Sequence, residues 1–275
     1  MCELFAMCSD APTDVHFSME EFSRHGGLTG PHKDGWGIAY YVGNDVKLVK
    51  EPLPASDSAC VRYIQERPFA SRLVLSHIRK ATQGEHILAN CQPFTRELGG
   101  RMHVFAHNGD LDPQRLRELR PGKYRPIGTT DSEFAFCVLL DRLSASWLDN
   151  AGVPSIEERR QAIAALAAEL RPLGPANFLY ADGDALFVHA HKRLRQSSGA
   201  WHHGLHVLCR RCTGGTGRLH TEGLSIAGSV EEQHVVLVAS VPLTVEPGWR
   251  ALEEGELLVV RDGRVVADSH VPYAP

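Results

Sequence analysis

Met1-Cys2-Glu3-Leu4-Phe5-Ala6-Met7 opens the chain, and its second residue decides how the rest is read. Cys2–Met7 has the apolar content of a first strand. Once the initiator Met is removed, Cys2 holds a nucleophile and a base in one residue, the thiol and the free α-amine. That amine has a reference pKa of about 7.7–8.0, so it can take and return a proton near neutral pH. With Met1 attached, the same nitrogen is an amide and cannot serve as a base, so the reading requires Met excision. The competing reading is a small buried hydrophobe, since free Cys is among the most buried residue types. Three polar segments further along favour the chemical reading: His77-Ile78-Arg79, His107-Asn108-Gly109 and Thr130-Asp131-Ser132-Glu133.

The totals set the class. The chain has 275 residues, 43% hydrophobic and 23% charged, which is ordinary for a globular protein with a core of its own. Its net charge of −4 argues against nucleic acid or an anionic membrane surface as the main partner. No apolar run approaches the roughly 20 residues of a membrane span, and no signal peptide is expected at the N-terminus. Seven cysteines, an odd number and scattered, point to a reducing cytoplasm and not to a disulfide framework.

Strand and helix patterns alternate without repeats or long linkers, which predicts one domain over residues 1–275. Trp36–Val42, Leu73–His77, His103–Ala106 and His234–Ala239 have strand character. Asn177–Tyr180 and Ala185–His189 flank Asp182-Gly183-Asp184, and Glu256–Val260 and Arg264–Ala267 flank Asp262-Gly263; both are hairpin signals. Ser155-Ile156-Glu157-Glu158 is a capping box for a helix whose apolar face is Ile156, Ile163, Leu166, Ala167 and Leu170. Glu157, Arg159 and Arg160 are expected on its solvated side. Asp131–Leu143 is apolar nearly all round, as for a helix buried on most sides. The alternation predicts layered α+β. No G-x-G-x-x-G or Walker A sequence is present, so a Rossmann fold is not expected.

Each polar segment suits one piece of chemistry. Alternation along Leu73–Arg79 puts His77 and Arg79 on one face, and a planar Arg fork can hold a carboxylate through two parallel hydrogen bonds. Asn108 brings a side-chain amide and Gly109 an unobstructed backbone N–H, donors able to cradle an oxyanion, although Asn-Gly is also a common turn. Asp131 caps the following helix and can also pair with an ammonium group. Together these groups describe attack on the side-chain carbonyl of an α-amino acid.

In this order and approximate spacing, over about its first half, the chain resembles the class II glutamine amidotransferases, which are N-terminal-nucleophile hydrolases. Their early Met-Cys is matched by Met1-Cys2 and their Gly-His-Thr-Arg-Trp-Ala-Thr in part by Ser76-His77-Ile78-Arg79-Lys80-Ala81-Thr82. Their Asn-x-x-Pro is matched by Asn90-Cys91-Gln92-Pro93, their His-Asn-Gly by His107-Asn108-Gly109, and their Thr-Asp-Ser/Thr-Glu by Thr130-Asp131-Ser132-Glu133. Lys80 stands where the family has an aromatic, and Gln83 where the larger synthases often have His. Asp34-Gly35-Trp36-Gly37 is most similar to the short stand-alone branch, which includes hydrolases of γ-glutamyl bonds in thiol metabolism.

The resemblance implies a four-layer αββα sandwich of the N-terminal-nucleophile hydrolase type. It implies Cys2 as nucleophile, Asn108 and Gly109 as oxyanion hole, Arg79 for the substrate α-carboxylate and Asp131 for its α-ammonium. Thr82 and His107 complete the implied substrate site, with His77 and His107 as supports and not reactants. The expected substrate is a small γ-glutamyl amide, with no cofactor and no metal. Alternatives are a glutaminase subunit delivering ammonia to a separate synthase partner and a non-catalytic binding protein on the same scaffold; the partners implied are an acceptor synthase or a second copy in a homo-oligomer. His202, His203, His206, Cys209 and Cys212 fall within eleven residues and could suggest zinc. A lone Cys pair between strand-like flanks reads better as a strand with a polar edge.

Overall fold

The computed structural model describes residues 2–15, 24–67, 69–82, 84–149, 152–194, 199–213, 218–221, 224–227, 232–244 and 247–271. Met1 and Gln83 lie outside them. The first sheet takes β1 (Glu3–Val15), β2 (Trp36–Val42), β3 (Asp45–Glu51) and β4 (Ala70–Ile78) from the N-terminal part. The second begins with β5 (Phe94–Leu98), β6 (Arg101–Gly109), β7 (Ala176–Ala181) and β8 (Leu186–His189). β9 (Lys192–Leu194) and β10 (Trp201–His203) pair as a small hairpin. β11 (His206–Thr213), β12 (Arg218–Thr221), β13 (Leu224–Ala227), β14 (Glu232–Ala239) and β15 (Arg250–Ala251) return to the first sheet; β16 (Glu256–Arg261) and β17 (Arg264–His270) return to the second.

The first sheet runs β15-β11-β14-β1-β4-β2-β3, with β13 also pairing the far end of β1; the second runs β17-β16-β8-β7-β6-β5. The pairings are antiparallel, and β1, which follows Cys2, lies centrally between β14 and β4. The two sheets face each other across a core of Leu4, Ala6, Leu75, Val104, Leu179, Val188, Val236 and Leu258. The outer face of the second sheet is covered by α2 (Asp131–Asp149) and α3 (Ile156–Leu170), and that of the first by α1 (Ala59–Glu66) through Val61 and Ile64. This is an αββα sandwich, as expected, with one helical layer much thinner than the other.

Local chemistry explains the elements. Alternation along β1 and β4 sends Leu4, Ala6, Leu73 and Leu75 to the inter-sheet core, and Phe5, Met7 and Val74 to the outer face under α1. Helix α2 is apolar on most sides because it packs against both the sheet and α3; Phe136 stacks on Phe105 of β6 with ring centroids 5.3 Å apart. Truncating so buried a ring costs about 3–5 kcal/mol. The capping box of α3 is present, with Ser155 Oγ accepting from Glu158 N (3.2 Å) and Glu158 accepting from Ser155 N (2.9 Å). Asp262 and Gly263 both adopt left-handed φ (+48° and +67°), which closes the β16–β17 hairpin.

Two differences from the sequence reading have plain causes. Arg159 is not on the solvated side of α3: it is 1% exposed, and its guanidinium donates to Asp182 and Asp184, each at 2.7 Å. It stands four residues before Ile163 and so shares the apolar face, while the β7–β8 turn supplies the carboxylates that make burial tolerable. The first strand begins at Glu3, not Cys2, and continues to Val15 beyond its apolar start. The described cysteines Cys2, Cys8, Cys60, Cys91, Cys137 and Cys209 are all free thiols. No described helix is long and apolar enough to cross a membrane.

Candidate active site

The register of β1 against β4 pairs Glu3 with Ile78 and Leu4 with His77, which carries Cys2 to the chain just past the end of β4. There the Cys2 thiol is 3.3 Å from Lys80 N and 3.4 Å from Lys80 O, so the backbone of Lys80 both donates to the sulfur and accepts from it. Burial pushes the thiol above its ordinary pKa; the Lys80 backbone and the charge of Arg79 pull against that, and Asp131 adds to it. Both residues thus lie within electrostatic reach of the sulfur. At neutral pH the resting group is the protonated thiol.

Arg79 is 3% exposed, and its fork is engaged with backbone. Nη1 donates to Asp34 O (3.3 Å) and Glu85 O (3.1 Å), and Nη2 to Gly84 O (3.2 Å). In this state Arg79 braces the 80–86 loop. Asp34 braces it too, since its Oδ2 accepts from Ala81 N at 2.7 Å and its Oδ1 lies 3.5 Å from His86 Nε2. Thr82, on that loop, is exposed. Asn90 ties the loop to the segment leading into α2: Nδ2 donates to Glu85 O (2.9 Å), and Oδ1 accepts from Thr129 N (2.8 Å).

Asp131 opens α2 and is partly exposed; its Oδ2 accepts from Leu111 N at 2.9 Å. Beside it lies a cleft of about 340 Å³ with an apolar wall of Pro113, Leu116, Pro126 and Phe134 and a charged rim at Arg117. The His107 ring spans Ser132 Oγ (2.9 Å from Nδ1) and Pro175 O (3.3 Å from Nε2), while Ser132 Oγ is 3.4 Å from Asp131 Oδ1. Just before β5 begins, the Gln92 side chain takes over as the partner of β6, accepting from His107 N (2.6 Å) and donating to His107 O (3.2 Å). Burial, helped by the charge of Arg79, holds His77 neutral.

Asn108 and Gly109 end β6. Asn108 is fully buried, and its amide lies 3.3 Å from Ser240 Oγ, which also accepts from Leu4 N at 2.9 Å. Gly109 pairs with Ala176. A Cβ there would stand 1.8 Å from Pro175 O and 2.4 Å from His107 Nε2, so no side chain fits at this close approach of two backbones.

Sequence reasoning named Cys2, Arg79, Thr82, His107, Asn108, Gly109 and Asp131. The structure brings Arg79 and Asp131 within reach of the Cys2 charge, joins His107 to Asp131 through Ser132, and leaves Thr82 exposed on the 80–86 loop. It adds Ser240, Gln92 and Asp34 as braces. A lone Ser carries no sequence signal of this kind, whereas Asn90, Gln92 and Asp34 lie inside the motif segments. Of the His/Cys cluster, His203 bonds Leu252 O and Cys209 is exposed on β11, while the Cys212 side chain lies outside the described residues. Among the described residues no three metal-type side chains come together.

The family model of class II glutamine amidotransferases matches residues 1–274. "Putative glutamine amidotransferase YafJ" of Escherichia coli (strain K12) is 38% identical over 259 residues, covering 93% of this chain and 96% of its own. The crystal structure of a "predicted glutamine amidotransferase" from Pseudomonas aeruginosa PA01 superposes with a TM-score of 0.71 at 34% identity, covering 97% of this chain and 100% of that one. The glutamine phosphoribosylpyrophosphate amidotransferase of B. subtilis shares the fold at 15% identity and a TM-score of 0.62, with 98% of this chain covering 49% of that one.

Proposed function

Because the chain belongs to the class II glutamine amidotransferases, we propose that it hydrolyses a γ-glutamyl amide through a thioester on Cys2. The observation that carries this reading is the position of the Cys2 thiol, held by the Lys80 backbone within reach of one cation, Arg79, and one carboxylate, Asp131. An α-amino acid head group presents the complementary pair, a carboxylate and an ammonium.

In the proposed sequence the free α-amine of Cys2 takes the thiol proton as the sulfur attacks the γ-carbonyl carbon. The carbonyl oxygen becomes an oxyanion and is received by the Asn108 amide and the Gly109 N–H. Collapse breaks the C–N bond, and the α-ammonium returns its proton to the departing ammonia or amine. Water then attacks the thioester and releases the γ-carboxylate and the thiol. Asp131 holds the substrate ammonium and Arg79 its carboxylate; to do so, the carboxylate replaces one of the loop carbonyls that Arg79 holds in the resting state. His107 keeps Asp131 and β6 in register, and Thr82 meets the substrate as the loop adjusts. The reading treats residues 1–275 as one domain acting on a small molecule in the cytoplasm without a cofactor.

The test uses protein with Met1 removed, assayed with glutamine and with glutathione for ammonia and glutamate. Cys2→Ala and Cys2→Ser are expected to abolish or severely cut turnover at unchanged melting temperature. Wild-type turnover by Cys2→Ala refutes the mechanism. Activity on glutathione but not glutamine assigns a thiol-conjugate substrate; ammonia release from glutamine assigns the ammonia-supplying role.

A further inference from the structure

We infer that Ser240 is a positioning residue: it turns the Asn108 side-chain amide so that the NH2 group, not the carbonyl oxygen, is the end left for a developing oxyanion. The inference rests on the reading of Asn108 as an oxyanion donor.

Ser240 follows β14 and is 1% exposed. Its backbone N donates to Leu4 O at 3.0 Å, and its Oγ accepts from Leu4 N at 2.9 Å. Ser240 therefore clasps both backbone groups of the residue two places beyond Cys2. The same Oγ lies 3.3 Å from the Asn108 amide, on β6 of the facing sheet. One hydroxyl thus joins the strand of the nucleophile to the residue proposed to stabilise the product of its attack.

Hydrogen-bond polarity decides which way the amide faces. A serine hydroxyl has one hydrogen to give. The Leu4 N–H occupies a lone pair of Oγ, so the hydroxyl hydrogen needs an acceptor elsewhere. If Asn108 presented its NH2 to Ser240, two donors would converge on Oγ. The hydroxyl hydrogen would then lack a partner, and so would Asn108 Oδ1, which is buried and makes no hydrogen bond in that orientation. Each such unmet group costs about 1–3 kcal/mol. Turning the amide by half a rotation exchanges two atoms of nearly the same size. The hydroxyl hydrogen then goes to Oδ1, and the bonds run one way, from Leu4 N–H to Ser240 O–H to the Asn108 carbonyl. The remaining unpaired group is then a buried NH2 donor, which an oxyanion would satisfy. The backbone of Asn108 cannot turn with it, since it is paired with Asn177 and its carbonyl also accepts from Asn177 Nδ2 at 3.1 Å.

The experiment measures kcat and KM on whichever γ-glutamyl substrate the processed protein turns over, for wild type, Asn108→Ala, Ser240→Ala and the double variant. The isosteric pair Ser240→Thr and Ser240→Val is included in case Ser240→Ala is poorly folded, since those two differ only in the hydroxyl. Loss of an oxyanion-hole donor costs about 10²–10³ in kcat, and loss of its orienting bond is expected to cost about ten- to a hundredfold within that limit. KM should stay near wild type, and Ser240→Thr should exceed Ser240→Val in kcat by at least about tenfold on the same principle. The double variant should be no slower than Asn108→Ala, because Ser240 acts through Asn108. Alkylation of Cys2 by iodoacetamide, which forms no oxyanion, should be unchanged. Wild-type kcat for Ser240→Ala beside an impaired Asn108→Ala overturns the inference and leaves the oxyanion reading standing. Wild-type kcat for Asn108→Ala removes that reading itself. Additive losses in the double variant, or an alkylation rate that falls with kcat, would show Ser240 acting through the β1 strand and overturn the inference.

Discussion

Gly109→Ala should cripple turnover through a displacement of the backbone alone. The added Cβ would stand 1.8 Å from Pro175 O and 2.7 Å from Pro175 C, whereas real Cβ contacts essentially never fall below 3.0 Å. The nearest obstacle is backbone, so it cannot swing aside as a side chain would, and about 1 Å of separation has to be found. Pro175 immediately precedes Ala176, the strand partner of Gly109, so the strain opens the β6–β7 pairing at the point where the Gly109 N–H is needed. A misplacement of about 1 Å near the reacting atoms is worth roughly 10²-fold in rate, and forcing a methyl into a packed site costs about 1–3 kcal/mol of stability. The expected result is a kcat down by about a hundredfold and a melting temperature lower by roughly 2–10 °C. Initial rates of ammonia or glutamate release and a thermal melt measure the two. Alkylation of Cys2 by iodoacetamide should be preserved. A variant with wild-type kcat and wild-type melting would refute the steric argument and the role of Gly109 with it.

Arg79→Ala and Asp131→Ala should each raise KM by about ten- to a hundredfold, the value of a lost charge-assisted hydrogen bond; unchanged KM in both would remove the head-group assignment. Protein with a blocked N-terminus should be far slower than processed protein on glutamine and on glutathione, and equal rates would place the base elsewhere. Glu3→Gln should destabilise the protein at neutral pH by an amount that shrinks in acid. Burial pushes the Glu3 carboxyl up, but the hydrogen bond with His25 and the charges of His32 and Arg193 outweigh it, so its folded pKa lies below the ordinary value of about 4.3. The unfolded chain then binds more protons through that window, and the wild type loses this stabilisation as pH falls through the folded pKa. Denaturation midpoints at pH 7 and pH 3 measure it, and a pH-independent gap between wild type and Glu3→Gln would contradict the sign.

The elements legible in the sequence were those whose pattern is local. Trp36–Val42 was delimited by its own apolar run, the two hairpins by Asp-Gly turns, and α3 by its capping box. Strand β3 (DVKLVKE) was missed because its residues are half-exposed and its stability comes from pairing with β2. Arg159 was misplaced because charge was given more weight than helical phase, and its partners Asp182 and Asp184 lie more than twenty positions away. The polar motif residues were legible because they cluster in short segments at strand and helix ends. The brace Ser240 was not: it is 236 positions from Leu4 and 132 from Asn108, a relation that exists only once the two sheets face each other.

The structure also bears on where the base of the proposed mechanism has to be. Burial pushes the Cys2 thiol above its ordinary pKa, so the proposed attack calls for a proton acceptor close to the sulfur. The histidines in the motif segments are poor candidates. His107 has both ring nitrogens engaged, with Ser132 Oγ and Pro175 O, and burial holds its pKa down despite the nearby Asp131. His77 is neutral and fully buried, and the hydrogen-bonding partner of the thiol is the Lys80 backbone, not either imidazole. A backbone amide cannot take a proton at these pH values. The α-amine of Cys2 itself remains. Its proximity is guaranteed by covalent geometry, and its ordinary pKa lies close to the working pH. On this argument a single excision, the removal of Met1, creates the acceptor and leaves the fold as it is, so a blocked N-terminus should remove turnover while preserving the melting temperature.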